Sequence, residues 1–373
     1  MSPARPALTP RRITVFEGDG VGPEICRAAL TVLDAATRRF DLPLHVEAHP
    51  VGLEALQACG STLPQASLEA ATRSDGVILG PLSTYDYPAA DQGGVNASAE
   101  LRATLGLFAN IRPSRYRPGI DAHGAGMDLV LVRENTEGMY AVRSMYAGAG
   151  EFMPSPDIAL AVRKISRSAS QAIARTAYEL ARRRRRHVTV VHKANVLRLT
   201  DGLFLEAVRE VAQDFPDVAT TELLVDAAAA MLVRAPASFD VLVTTNLFGD
   251  ILSNEAAELS GSLGLGGSLN VGDHHCLAQA AHGSAPTLAG QNVANPIGII
   301  SSMAMLLQHL GNTHADARFL SAHDAIDRGV DDLLLDPATR TQDLGGDCST
   351  DAFAAHLGER LFRDPPRQVA YGR

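Results

Sequence analysis

Apolar and polar positions follow two rhythms along the chain. Short, β-rich apolar runs recur as "RITVFEG", "GVILG", "MDLVLVREN", "RHVTVVHKAN" and "FDVLVTTN", and these predict strands. Longer stretches with apolar residues at helical spacing lie between or after them, among them "GPEICRAALTVLDAATRRF", "SASQAIARTAYELA", "LFLEAVREVAQDF" and "IGIISSMAMLLQHLG". Gly22 and Pro23 open the first of these, a placement that suits a helix start. The alternation predicts an α/β architecture with an at least partly parallel sheet. Gly/Pro-rich stretches near 115–126 and 261–272 predict loops. No repeat of fixed period is present. A chain of 373 residues exceeds what one core usually serves, so two domains are expected.

Composition narrows the class. Hydrophobic residues make up 46% and charged residues 20%, the balance of a soluble globular enzyme. The net charge of −9 disfavours nucleic acid or a membrane surface as a partner. The basic run Arg182 to Arg186 follows an amphipathic helical pattern, and cations at a helix C-terminus suit its dipole. The four cysteines are far apart and form no CxxC pair, which fits a reduced, cytoplasmic protein without structural zinc. "DHHC" (Asp273 to Cys276) lacks a second ligand pair and reads as a surface loop. The opening "MSPARPALTPRR" has no apolar segment like that of a signal peptide, and no run approaches the roughly 20 apolar residues of a membrane span.

Three of the apolar strands end in clusters of functional residues. The run at 128–132 leads into Arg133, Glu134, Asn135 and then Tyr140. The run at 188–191 leads into His192, Lys193 and Asn195, and that at 240–243 into Asn246 and Asp250. Open α/β sheets bind ligands at the carboxyl ends of their strands. Asp226 follows another strand-like run, "TTELLV". Asp226 and Asp250 offer hard oxygen donors suited to Mg²⁺ or Mn²⁺; the competing reading makes each a helix N-cap. Arg102, Arg112 and Arg133 present guanidinium forks that match the carboxylates of a di- or tricarboxylate, although a single such arginine is often only a surface salt bridge. "EGDGVGPE" is spaced GxGxG, not as a dinucleotide or P-loop fingerprint, and reads as a tight strand-to-helix turn. "HGSAPTLAGQNVANP" (His282 to Pro296) combines small residues that let a ligand approach the backbone with a histidine and an asparagine able to hydrogen-bond.

In order along the chain, "GDGVGPE", "LFANIRP", "VRENTEGMY", "HKANVL", "TTNLFGDILS", "HGSAP" with "AGQNVANP", and "DLGGDCSTDAF" closely resemble the β-decarboxylating dehydrogenases. These comprise isocitrate, homoisocitrate and 3-isopropylmalate dehydrogenases, with tartrate dehydrogenase as a relative. The resemblance covers nearly the whole chain. It implies a two-domain α/β fold with a mixed sheet that is not a Rossmann fold. Residues 1–105 and 261–373 would form a cofactor-binding domain, and residues 106–260 a substrate, metal and dimerisation domain with an arm. It implies NAD and Mg²⁺ or Mn²⁺ as cofactors. It also implies a homodimer, or a tetramer built from it, in which Lys193 and Asp226 serve the site that holds the other chain's Tyr140 and Asp250. Tyr140 and Lys193 would be catalytic. Asn96, Ser98, Arg102, Arg112 and Arg133 would bind substrate. His282, Gly283, Ser284, Ala285, Pro286, Thr287, Asn295 and Asp343 would bind the cofactor. Asp226 and Asp250 would hold the metal, with Asn254 in its outer shell.

Several positions depart from the family pattern. Asn254 stands where a second acid is expected, Gln279 where a glutamate is, and Thr287 where NAD-linked members carry aspartate and NADP-linked members lysine. Threonine offers no cation for a 2′-phosphate, and "DLGG" (Asp343 to Gly346) is the NAD-linked form, so NAD is favoured over NADP. Isocitrate enzymes place serine and asparagine six and four residues before the first arginine. Here Asn96 and Ser98 reverse that order, with Ala97 and Ala99 leaving room. Polar donors suit a carboxylate-bearing C3 substituent better than an isopropyl group, so an isocitrate- or homoisocitrate-like substrate leads, followed by 3-isopropylmalate. The alternatives are a non-decarboxylating or tartrate-type hydroxyacid dehydrogenase, or a non-catalytic regulatory subunit of a heteromeric isocitrate dehydrogenase.

Overall fold

The computed structural model describes residues 10–140 and 150–363. The chain begins with β1 (Arg11–Phe16), α1 (Gly22–Phe40), β2 (Leu44–Ala48), α2 (Gly52–Cys59), α3 (Gln65–Thr72) and β3 (Gly76–Leu79). Next come α4 (Ala97–Thr104), β4 (Ala109–Arg115), β5 (Asp128–Glu134), β6 (Glu151–Ser155), β7 (Ile158–Ala161) and α5 (Arg167–Arg182). They are followed by β8 (His187–His192), α6 (Thr200–Ala212), β9 (Ala219–Leu224), α7 (Val225–Arg234), β10 (Val241–Thr244) and α8 (Asn246–Leu259). The chain closes with β11 (Gly267–Val271), β12 (Cys276–Ala280), α9 (Ile297–His314), α10 (Ala317–Leu335) and α11 (Thr350–Arg363).

Two compact units result: residues 1–95 with 283–373, and residues 96–282. The boundaries differ from the sequence expectation because residues 96–105 and 261–282 group with the middle of the chain. Strand pairing is the physical reason. β11 runs antiparallel to both β4 and β12, so the stretch expected as a loop at 261–272 contributes a strand. In the first unit β1 lies between β2 and β3, all parallel, with α1, α9, α10 and α11 packed together. In the second unit the strand order is β12-β11-β4-β5-β10-β8-β9, with β4, β11 and β12 antiparallel to their neighbours and the other pairs parallel. This mixed sheet is not the all-parallel Rossmann arrangement.

The strand sequences explain how the second unit is layered. Side chains alternate between the faces of a strand, and a strand buried on both faces is apolar throughout. Val130, Val132, Val188, Val190, Val241 and Val243 pack in one core with Ile173, Ala177 and Tyr178 of α5 and Phe204 and Val208 of α6. The intervening Leu129, Leu131, Val191 and Leu242 pack in a second core with Ala228 and Leu232 of α7 and Leu252 and Ala256 of α8. Arg133 continues the odd-numbered series of β5 and therefore falls on the face that α8 covers. Among the described residues no helix is long and apolar enough to cross a membrane.

Candidate active site

Register brings the chemistry-bearing strand ends to one edge of the second unit. Thr244 of β10 pairs with Arg133 of β5 on one side and Val191 of β8 on the other, and His192 pairs with Leu224 of β9. Arg133, Lys193, Asp226 and the start of α8 thus lie at the carboxyl ends of adjacent parallel strands. Antiparallel β4 adds Arg112. Asn110 is the direct partner of Arg133, and Arg112 is two residues further along, so all three side chains share one face.

On that face two arginines and a tyrosine converge on Asp250. Arg112 Nη1 donates to Asp250 Oδ1 at 3.2 Å and to Ser253 Oγ at 2.8 Å. Arg133 Nη1 also donates to Oδ1, while its Nε and Nη2 donate to Asn246 Oδ1 at 3.0 and 2.7 Å. The Tyr140 hydroxyl donates to Oδ2 at 3.0 Å, and the Arg133 guanidinium lies 5.4 Å from the centre of the Tyr140 ring. Both arginines are buried, whereas a third of the Asp250 side chain is exposed. They are not the surface salt bridges that single arginines often make. Burial raises the Asp250 pKa, but Arg133, Arg112 and the Tyr140 hydroxyl outweigh it and hold the carboxyl below the usual carboxylate range. Burial, together with the charge of Arg133, pushes the Arg112 guanidinium down to about 10, so it stays charged at neutral pH.

A buried amide network aims these arginines. Arg112 Nε donates to Asn110 Oδ1, and Asn270 Oδ1 accepts from Asn110 at 2.9 Å and Asn135 at 3.0 Å. Gly249 lets α8 approach closely, since a Cβ there would sit 2.6–2.7 Å from Arg133 Cγ and Cβ. Gly249→Ala is therefore expected to push α8 off β5. It should cost about 1–3 kcal/mol through overpacking, read as a lowered Tm, and weaken carboxylate binding at Arg133. An unchanged Tm and substrate affinity would contradict this account of the packing.

A second cluster joins Lys193 and Asp226. Lys193 Nζ donates to Asp226 Oδ1 at 2.6 Å, and this bond holds Asp226 below the usual carboxylate range. Neither aspartate is an N-cap: Leu224 and Thr245 occupy those positions, Asp226 lies in the first turn of α7, and Asp250 lies within α8. Asn254 is exposed one turn beyond Asp250. The donor chemistry of the two carboxylates fits a hard divalent cation. Among the described residues of one chain, however, no three His, Cys, Asp or Glu side chains gather as a cage. A cation held by these acids needs further oxygens from substrate, water or a second copy.

On α4, Ser98 and Arg102 lie one helical turn apart and both donate to Gln279 Oε1 of β12, at 3.2 and 3.3 Å. Asn96 caps this helix, its Oδ1 accepting from Ala99 N at 3.1 Å, so that oxygen is engaged within its own helix. Ala97 and Ala99 are buried against the unit and do not line open space, contrary to the expectation that they leave room.

The candidate cofactor residues divide between the units. His282 ends the second unit, and Gly283 begins the returning segment of the first. There Ser284 anchors the turn: its hydroxyl accepts from Ser83 Oγ at 2.8 Å and its carbonyl accepts from Val21 N at 2.8 Å. Gly20 lies so close to that carbonyl that a Cβ would meet it at 2.0 Å, so "GDGVG" is a tight packed turn, as its spacing suggests. Ala285 adopts φ +38°, a left-handed conformation that costs a non-glycine residue about 1–2 kcal/mol. Pro286 and Thr287 are exposed. Asn295 Nδ2 donates to Asp343 Oδ2 at 2.9 Å, uniting two expected cofactor residues more than forty positions apart. An exposed turn of small residues and a polar pair within the same unit are groups that suit a nucleotide.

Comparison with known proteins identifies the kind of site this is. The family model described as isocitrate/isopropylmalate dehydrogenase matches residues 12–360. The chain belongs to the isocitrate/isopropylmalate dehydrogenase family. It is 41% identical over 353 residues to isocitrate/homoisocitrate dehydrogenase of Thermus thermophilus, covering 94% of this chain and 98% of that protein. It is 39% identical over 352 residues to 3-isopropylmalate dehydrogenase of Archaeoglobus fulgidus, covering 94% and 99%. The crystal structure of isocitrate dehydrogenase from Methylococcus capsulatus superposes with a TM-score of 0.83 at 38% identity, covering 94% of this chain and 99% of that one. Family members are oxidative decarboxylating dehydrogenases, and the α/β fold with its large mixed sheet is the family fold.

Sequence reasoning overlooked three features of the site. Gln279 appears there only as a departure, yet it ties Ser98 to Arg102. Asn110 and Asn270 lie in strands, and their interruption of apolar runs was the available signal. Arg163 and Asp201, which adjoin the Lys193 loop, carried no motif signal of their own.

Proposed function

We propose that the protein catalyses the NAD-linked, divalent-metal-dependent oxidative decarboxylation of a 3-substituted malate whose substituent carries a carboxylate, as in isocitrate or homoisocitrate. The observation that carries this reading is the convergence of Arg112, Arg133 and Tyr140 on Asp250, beside strand ends that present Lys193 and Asp226. Arg102, Arg112 and Arg133 hold the substrate carboxylates. Bound NAD supplies a hydride acceptor, and a bound divalent cation supplies positive charge where the substrate oxygens become anionic. Lys193 takes the proton of the C2 hydroxyl as the C2 hydride departs. The resulting 3-carboxy-2-oxo acid loses CO₂, and Tyr140 delivers a proton to C3. Asp226 and Asp250 are the carboxylates that hold the cation. Residues 283–287, Asn295 and Asp343 hold the nucleotide, with Thr287 presenting no cation for a 2′-phosphate.

A second copy of the chain completes the site in this reading. β6 and β7 pair only with each other among the described strands, and Phe152, Met153, Ile158 and Leu160 are exposed on them. A lone two-stranded hairpin is marginal in water, and exposed apolar patches mark interfaces. Val196 and Leu199 near Lys193, Val233 on the Asp226 helix and Ile251 beside Asp250 are exposed too. These are the positions where a partner carrying the complementary acid would pack.

The substituent preference rests on Ser98 and Arg102, polar donors one helical turn apart on α4. Gln279 Oε1 accepts from both and ties them together. The test is a panel of isocitrate, homoisocitrate, 3-isopropylmalate and tartrate, assayed with Mn²⁺ and NAD or NADP. Highest kcat/KM is expected for a tricarboxylate with NAD. Ser98→Ala is expected to lower kcat/KM for the tricarboxylate by roughly 10–100-fold, through loss of a donor to the substituent carboxylate, while 3-isopropylmalate loses far less. Negligible rates across the whole panel would overturn the catalytic reading and favour a regulatory subunit.

A further inference from the structure

We propose that Arg163 and Asp201 are positioning residues that fix the Lys193 backbone against the start of α8 of the same chain, and so set how Lys193 is presented to the site that a second copy completes. This rests on the reading of Lys193 as the base. Asp201 lies in the first turn of α6 and is fully buried. Its Oδ2 accepts the backbone N–H of Lys193 at 2.6 Å. The Lys193 carbonyl accepts from Val196 N at 3.0 Å and Leu197 N at 2.9 Å, so the backbone of Lys193 is tied on both sides. Asp201 Oδ1 forms an ion pair of 2.5 Å with Arg163 Nη1, whose side chain is nearly buried. The same guanidinium reaches α8: Nη2 donates to Thr245 Oγ1 at 2.9 Å, and the group lies 5.1 Å from the Phe248 ring. Thr245 is the N-cap residue of α8, which carries Asn246 and Asp250. Arg163 adjoins Lys164, whose backbone pairs with Gly138 two residues before Tyr140.

One guanidinium thus joins the acid that holds the Lys193 backbone to the start of the Asp250 helix, and the residue after it pairs through its backbone with the segment leading to Tyr140. A buried ion pair is costly to desolvate and is a poor device for stability alone. Its rigid fork suits a hub that must keep several elements in one arrangement. Displacement of a reacting group by about 1 Å lowers rates on the order of 100-fold, so loss of this hub would appear in turnover first.

The test uses the full-length protein carrying Arg163→Gln, Arg163→Lys or Asp201→Asn, with the best substrate of the panel, Mn²⁺ and NAD. Acylation of Lys193 by acetic anhydride, followed by mass spectrometry, gives a readout independent of activity. Arg163→Gln and Asp201→Asn are expected to lower kcat by roughly 10–100-fold with KM within about twofold of the parent. Both should also change the Lys193 acylation rate severalfold relative to the parent enzyme. Arg163→Lys should recover part of the lost kcat. Should Arg163→Gln fail to fold, Asp201→Asn carries the test, because its amide oxygen still accepts the Lys193 N–H without the ion pair. Folded variants with parental kcat and parental acylation would overturn the proposal, as would equal losses in kcat/KM and Tm with acylation unchanged. A shifted acylation rate alongside an active Lys193→Met enzyme would instead sink the assignment of the base and leave the positioning intact.

Discussion

Lys193→Met enzyme should turn over about 10³-fold more slowly than the parent, within the range general-base groups contribute, and mixing it with Asp250→Asn enzyme should bring activity back. Methionine keeps the length of the side chain and removes the amine. The substrate carboxylates would still meet Arg102, Arg112 and Arg133, so KM should change little while kcat falls. Within one chain Lys193 bonds to Asp226, and Asp250 bonds to Arg112, Arg133 and Tyr140. If each site takes Lys193 and Asp226 from one copy and Tyr140 and Asp250 from the other, a hybrid dimer has one doubly defective site and one intact site. Random reassociation of a symmetric dimer would then return about a quarter of parental activity from two nearly inactive enzymes. No recovery from verified hybrids would place both residues in the same chain's site. Undiminished turnover by Lys193→Met would remove the lysine from its assigned role.

Exhaustive chelation should abolish turnover, and Mn²⁺ should restore it. The two acids are expected to respond differently when replaced. Asp226 is largely exposed and pairs with Lys193, so Asp226→Asn should leave Tm nearly unchanged. It should raise the Kd for Mn²⁺ on the order of 100-fold, read by calorimetry on the dimer. Asp250 is also the countercharge of two buried guanidinium groups. Asp250→Asn should therefore weaken the cation and also lower stability by about 2 kcal/mol, because Arg112 and Arg133 would face each other without an anion. Parental activity after removal of all divalent metal would contradict the metal-dependent reading. Equal, small effects of both substitutions on Mn²⁺ affinity would do the same.

Much of this molecule was legible in its residue pattern. The apolar runs around 128–132, 188–191 and 240–243 predicted strands, because short β-rich runs bounded by polar residues favour that element. Their polar endings announced a site, because a parallel sheet presents its carboxyl ends together. Seven ordered motifs marked the family, and the family model then matched residues 12–360. The basic run at 182–186 also behaves as a helix end: Arg182 pairs with Asp217, and Arg184 with Asp128 and Asp240, acids of its own unit.

Other features depended on distance in space. β11 hid within a Gly-rich stretch because its pairing partners, β4 and β12, lie elsewhere in the chain, and propensity alone does not report pairing. Asn96, expected to bind substrate, also caps α4 through its oxygen. Whether an arginine is a surface ion or a buried hub cannot be read from its neighbours: Arg112, Arg133 and Arg163 acquire their roles from Asp250 and Asp201, far along the sequence. Local pattern specifies element type because periodicity is a property of consecutive residues. Charge partners, burial and the aim of each side chain belong to segments that only folding brings together, so the tertiary structure alone decided them.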